Sequence, residues 1–143
     1  MFDSILVVCT GNICRSPMAE YFFKKKLTDF TVASAGVKAV VDEAADKMAI
    51  EVSFKNGIDL SGHVGRQLTT RIAKEYDILL VMEQKHIELI SEMAPELRGK
   101  TMLLGHWLDK KEIPDPYGKS EAAFDHVFRL IEKSCVSWIE KLI

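Results

Sequence analysis

Cysteine is scarce in this chain, with three residues in 143, Cys9, Cys14 and Cys135. A small, odd number does not build the disulfide framework of a secreted mini-domain. Cys9 and Cys14 stand five apart, not at the Cys-x-x-Cys spacing of a zinc knuckle or a thioredoxin motif. The four histidines (His63, His86, His106 and His126) are scattered without the paired spacing that metal ligation uses. No metal and no cofactor are therefore expected. Charge of one sign is also lacking: 19 Lys and Arg against 21 Asp and Glu leave a net charge of −2. That balance speaks against a nucleic-acid-coating surface. No apolar run approaches the ~20 residues that span a bilayer, so no membrane insertion is expected. The stretch Met1-Phe2-Asp3-Ser4 has neither the basic segment nor the apolar core of a signal peptide, which points to a cytoplasmic protein. Repeats, low-complexity tracts and interdomain linkers are missing too. One monomeric domain over residues 1–143 is the expectation, with 48% hydrophobic residues to fill its core.

What is present alternates between two periods. Ser4-Ile5-Leu6-Val7-Val8 is an unbroken apolar run, the mark of a strand buried on both faces of a parallel sheet. A loop from Cys9 to Arg15 follows, and Ser16-Pro17 then opens a helix, Ser as cap and Pro in the first turn. Met18, Tyr21, Phe22 and Leu27 supply its buried stripe, and Lys24-Lys25-Lys26 a solvated face. Thr31–Ala35 reads as a second strand, Ala45–Lys55 as a helix stopped by Asn56-Gly57, and Thr69–Lys74 as a short helix. Asp77–Met82 reads as the third strand, Gln84–Met93 as a helix ended near Pro95, and Thr101–Leu104 as a weaker fourth strand. Residues 105–119, with Gly105, Pro114, Pro116 and Gly118, read as a loop. Phe124, Val127, Phe128, Ile131, Cys135, Trp138 and Leu142 recur at three and four and define the last helix, with Cys135 packed in its stripe. Strand and helix in alternation imply an α/β fold, a parallel sheet with helices on both faces.

In such sheets ligands bind beyond the carboxyl ends of the strands. Cys9 stands at that edge, and the next helix begins within seven residues. Its N-terminus offers free N–H groups and partial positive charge. The loop Cys9-Thr10-Gly11-Asn12-Ile13-Cys14-Arg15-Ser16 is long enough to wrap a tetrahedral oxyanion with inward N–H groups. Gly11 permits unusual backbone angles, Asn12 tolerates the left-handed region, and Arg15 brings a planar fork for two phosphate oxygens. The same field favours the Cys9 thiolate. Complete ionisation of an ordinary thiol at pH 7 raises its reactive fraction about 30-fold, worth ~2 kcal/mol. Phosphate monoester hydrolysis needs acceleration up to ~10²¹. Positioning and charge stabilisation must therefore supply most of the effect.

A phosphate cradle also needs a proton for the leaving oxygen. Asp115, stiffened between Pro114 and Pro116, is the candidate acid, and an ordinary Pro-Asp-Pro turn is the alternative. Tyr117 beside it is placed to stack on an aromatic substrate.

The motif Cys9–Pro17 resembles the signature of the low-molecular-weight protein tyrosine phosphatase family, and the resemblance runs over nearly the whole chain. Gly62-His63 with Arg66-Gln67, and Asp115-Pro116-Tyr117, resemble two further family segments. Residues 92–100, Gly105-His106-Trp107 and Ile113-Pro114 resemble the bacterial Wzb-type branch, which serves capsule and exopolysaccharide export and dephosphorylates the tyrosine-rich tail of a membrane-bound tyrosine kinase. The resemblance implies a three-layer fold with four parallel strands in the order 2-1-3-4 and five helices. It implies Cys9 as the nucleophile that forms a phosphocysteine, Arg15 as phosphate clamp, and Asp115 as general acid and then base. It further implies that Asn12, Ser16, Ser34 and His63 hold the loop in shape, and that Ser16 stabilises the thiolate. Two positions depart from the pattern: Val40 replaces an aromatic crevice wall found in many relatives, and Tyr117 stands alone where eukaryotic relatives carry paired tyrosines. Less aromatic rim implies weaker grip on isolated phosphotyrosine and more reliance on the partner protein.

Three rival readings share parts of the pattern. Thioredoxin-coupled arsenate reductases resemble the fold and loop but use a second cysteine pair near the third strand, and residues 77–95 contain no cysteine. A sugar-transport phosphocarrier, or an inactive phosphotyrosine-binding module, has no use for Cys9, Arg15 and Asp115 together. Cys14 admits two readings, a packing residue inside the loop or a partner that forms a reversible disulfide with Cys9 under peroxide.

Overall fold

The computed structural model describes residues 2–143; Met1, part of the segment read against a signal peptide, lies outside them. Four strands, β1 (Ser4–Cys9), β2 (Thr31–Gly36), β3 (Ile78–Val81) and β4 (Thr101–Leu103), form one parallel sheet in the order β2-β1-β3-β4. Five α-helices join them: α1 (Arg15–Lys26), α2 (Lys47–Lys55), α3 (Thr70–Lys74), α4 (Gln84–Met93) and α5 (Glu121–Leu142).

The continuous apolar run in β1 has the cause expected of it. Ile5, Val7 and Cys9 join a core shared with α1, α2 and α5, whereas Leu6 and Val8 join a second core shared with α3 and α4. Successive side chains of a strand alternate faces, so a strand covered on both sides must be apolar throughout. The sheet is thus the middle of three layers. Trp138 of α5 donates its indole N–H to the Leu103 carbonyl at 3.3 Å, tying the last helix to the edge strand.

The boundaries correct several expectations. Cys9 is the last residue of β1 and pairs with Gly36 across the sheet, so the loop proper starts at Thr10. Helix α1 begins at Arg15 with Cys14 at the N-cap, and no side chain caps it. Ser16 is therefore not the cap; it is the second helical residue, and its hydroxyl is turned to the loop. Tyr21 is only half-buried, while Phe23, which the stripe omitted, is fully buried. Helix α2 starts two residues later than expected because Asp46 caps it, its carboxylate accepting from the N–H groups of Met48 and Ala49. A 3-10 helix over Pro95–Lys100, unforeseen, carries the chain into β4. The stop at Asn56-Gly57 holds, with Gly57 at φ 80°.

Candidate active site

The loop leaves β1 at the carboxyl edge of the sheet and enters α1, and its shape is fixed from outside. Six successive carbonyls are turned away from the loop's concave side. Those of Cys9, Thr10 and Gly11 accept from the N–H groups of Val37, Lys38 and Val40 at 2.9–3.0 Å. The Asn12 carbonyl accepts from His63 Nε2 at 2.6 Å, Ile13's from the Asp46 N–H at 2.8 Å, and Cys14's from Met18 at 3.3 Å. With the carbonyls fastened outward, the N–H groups of Gly11, Asn12, Ile13 and Cys14 have no protein acceptor among the described residues. That is the arrangement of an anion-binding nest at a helix N-terminus. Asn12 takes φ 59°, the left-handed region, to make the turn. Gly36 is required for a different reason: a Cβ there would lie 2.5 Å from the Thr10 carbonyl oxygen.

Behind the loop a directed hydrogen-bond chain can be followed from donor to acceptor. The Asn12 amide nitrogen donates to Ser16 Oγ at 2.8 Å and to Ser34 Oγ at 2.9 Å, while its oxygen accepts from the Arg66 N–H at 2.9 Å. An amide nitrogen only donates, so both serines accept there and keep their own protons for other partners. Ser34 donates to the Glu20 carboxylate at 2.5 Å. Ser16 is left to donate to Cys9 Sγ, 3.0 Å away. Asn12, Ser16, Ser34 and His63, named together from the resemblance, do meet around the loop. Glu20 completes the chain and was missed; its neighbours are Ser34, His63 Nδ1 at 3.9 Å and Lys24 at 2.6 Å. The signal available was a lone carboxylate among the buried positions of α1.

Arg15 is almost wholly buried, so its charge needs partners. One terminal nitrogen is consumed by the Glu83 carboxylate and by the Ile113 carbonyl at 2.9 Å. The other lies 3.4 Å from Thr10 Oγ1 and 3.8 Å from the Asp115 carboxylate. Nε–H has no protein acceptor among the described residues, which leaves Nε and the second terminal nitrogen as the fork facing a ligand. Glu83 and His86 escaped sequence reasoning although they are three apart at the start of α4. His86 is buried and accepts the Glu83 N–H on Nδ1 at 3.1 Å. Burial, and next the Arg15 charge, push its pKa down to about 4.

The open side is a crevice of about 260 Å³ lined by the loop together with Lys38, Val40, Asp115 and Tyr117. Asp115 is half-exposed, and its Oδ1 accepts the Tyr117 N–H at 3.1 Å, so the Pro-Asp-Pro turn and a carboxylate at the crevice mouth are both realised. Val40 and Tyr117, 42% and 62% exposed, both line the crevice. Cys14 and Cys135 are buried with their thiols pushed up, Cys14 by burial and then by Asp46, Cys135 by burial. Both are held as thiols at neutral pH. Among the described residues no helix is long and apolar enough to cross a membrane.

An oxyanion nest, a charged fork, a cysteine sulfur accepting a hydroxyl hydrogen bond and a carboxylate at the mouth suit phosphoryl transfer to sulfur. The comparisons with known proteins set the chain among phosphotyrosine phosphatases. The family model for low molecular weight phosphotyrosine protein phosphatase matches residues 4–143. The low molecular weight protein-tyrosine-phosphatase Etp of Escherichia coli is 51% identical over 141 residues, covering 99% of this chain and 95% of Etp. The crystal structure of the tyrosine phosphatase Wzb from Escherichia coli K30, in complex with sulphate, superimposes with a TM-score of 0.98 at 57% identity over the whole of both chains. Wzb of Vibrio vulnificus, in complex with benzylphosphonate, reaches 0.96 at 47% identity, covering 99% of each chain. This chain belongs to the low molecular weight phosphotyrosine protein phosphatase family and is a protein tyrosine phosphatase of the Wzb and Etp type.

Proposed function

We propose that hydrolysis runs through a phosphocysteine on Cys9. The Cys9 thiolate attacks phosphorus while the loop N–H groups and Arg15 hold the equatorial oxygens. The P–O bond to the tyrosine breaks, and Asp115 gives its proton to the departing phenolate oxygen. Asp115, now a carboxylate, takes a proton from water, whose oxygen attacks the phosphocysteine; phosphate leaves and the thiolate is restored. The Ser16 hydroxyl stabilises that thiolate at both ends of the cycle. The observation that carries this reading is the outward fastening of the loop carbonyls around Cys9. Release of phosphate from p-nitrophenyl phosphate tests it. Cys9→Ser should abolish release, and Asp115→Asn should slow it at least 100-fold while still binding a phosphotyrosine protein. Unchanged turnover in either variant refutes the corresponding role.

The substrate is read as phosphotyrosine on a protein, here the tyrosine-rich tail of a bacterial tyrosine autokinase that controls capsule or exopolysaccharide export. We place the enzyme in the cytoplasm, as a monomer. The resemblance of residues 92–100 and of Gly105-His106-Trp107 to the branch with that role supports this reading. The thin aromatic rim made by Val40 and Tyr117 supports reliance on the partner's surface. Equal catalytic efficiency on a small aryl phosphate and on a phosphorylated kinase tail would sink it.

A further inference from the structure

Thr10 lies in the loop with a hydroxyl whose acceptor positions are both spoken for. His86 Nε2 is 2.9 Å from Thr10 Oγ1, and Arg15 Nη2 is 3.4 Å from it. The His86 tautomer follows from its other nitrogen. Nδ1 accepts the N–H of Glu83, so in a neutral ring the proton sits on Nε2 and points at Thr10. Burial and the Arg15 charge keep that ring neutral at physiological pH. A hydroxyl oxygen has two lone pairs and one proton. With an imidazole N–H and a guanidinium N–H directed at the oxygen, the Thr10 proton has to leave in another direction, and Thr10 lines the crevice.

We infer that the Thr10 hydroxyl donates to a phosphoryl oxygen of the substrate, and that His86 is the positioning residue that turns it to do so. This rests on the reading of the loop as the phosphoryl site. The arrangement adds a side-chain donor to a cradle otherwise built from backbone N–H groups and Arg15. It also gives a function to a buried histidine that neither contacts the crevice nor titrates near neutrality. His86 reaches the substrate only through Thr10.

Thr10→Val removes the hydroxyl with little change of shape, and Thr10→Ser keeps it. Each is assayed for kcat/KM on p-nitrophenyl phosphate and for competitive inhibition by inorganic phosphate. A hydrogen bond to a charged group is worth about 1.5–3 kcal/mol, so Thr10→Val should lower kcat/KM and weaken phosphate inhibition at least tenfold. Thr10→Ser should stay within threefold of the wild type. His86→Leu should behave as Thr10→Val does, His86→Gln should recover most of the loss, and the double variant Thr10→Val with His86→Leu should be no worse than Thr10→Val alone. Thr10→Ala replaces Thr10→Val if the latter melts early. The inference is overturned if the variant without the hydroxyl inhibits and turns over within twofold of wild type. It is equally overturned if His86→Leu costs as much in the Thr10→Val background as alone, since His86 would then act without Thr10. Cys9→Ser runs beside them: turnover surviving there condemns the reading of the loop itself rather than the role of Thr10.

Discussion

Acidification should destabilise this protein through His86 in a way that one substitution removes. The imidazole is buried against Arg15, with Lys85 adding to the repulsion and Glu83 and Asp115 opposing it, and its pKa falls to about 4 in the folded state. In the unfolded chain a histidine titrates near 6.5. Between those values the unfolded state binds the extra proton, so stability is lost as pH falls from 6.5 toward 4 and is intact above 6.5. At 1.36 kcal/mol per unit, the loss from this residue near pH 4.5 is about 2–3 kcal/mol. That is a large share of the roughly 5–15 kcal/mol that holds a domain together. Carboxylates titrate over the same range, so the measurement has to be a difference. Urea unfolding of the wild type and of His86→Gln, each at pH 7 and near pH 4.5, supplies it. The wild type should lose about 2–3 kcal/mol more than His86→Gln on acidification. Equal losses in the two proteins, or an imidazole NMR titration with a midpoint at 6 or above, would refute the argument.

Gly36→Ala should cripple the loop, because its Cβ would sit 2.5 Å from the Thr10 carbonyl oxygen and 3.1 Å from the Asn12 nitrogen. A displacement near 1 Å at the cradle costs about 100-fold in kcat/KM; activity within threefold of wild type would contradict the packing. Iodoacetamide at pH 7 should label one cysteine, with phosphate protecting it and Cys9→Ser removing it. Cys14 and Cys135 are buried with raised thiol pKa values, and labelling of Cys14 at a comparable rate would count against this. Asp109 and Lys110 hold consecutive left-handed conformations, φ 60° and 54°, at a turn where glycine is the natural choice. Lys110→Gly should raise stability by about 0.5–1 kcal/mol, read as a higher Tm with unchanged kcat/KM; a lower Tm would refute it.

The parts of the molecule legible in the chain are those whose cause is local. The buried run of β1 shows itself by hydrophobicity, α5 by its periodicity, and the loop by Gly-Asn before Arg15. Helix α4 was read at Gln84–Met93 and lies there. The misplaced start of α1 has a definite reason: Ser16 looks like a cap by residue type, but its hydroxyl is claimed by Cys9 and Asn12. The supports of the site were illegible because their partners are remote in sequence. Glu83 pairs with a residue 68 positions away and His86 with one 76 away. No window of sequence contains both ends of such a contact, and only the family resemblance brought Ser34 and His63 in at all. Gly36 ends β2, and the constraint on it, the passage of the Thr10 carbonyl, is likewise set by a segment remote in sequence.

The outward fastening of the loop carbonyls makes the Cys9–Pro17 motif a poor candidate for transplantation. Its nine residues hold the Cys9 thiol and the Arg15 guanidinium, but their curvature is imposed by Val37, Lys38, Val40, Asp46 and His63, and Arg15 is braced by Ile113, 98 residues on. A peptide or chimera bearing Cys9–Pro17 on a foreign strand and helix would keep the thiol and the guanidinium and lose the concavity. In refolding, phosphate affinity should accordingly return only with the last long-range contacts, so oxyanion binding reports completion of the whole domain.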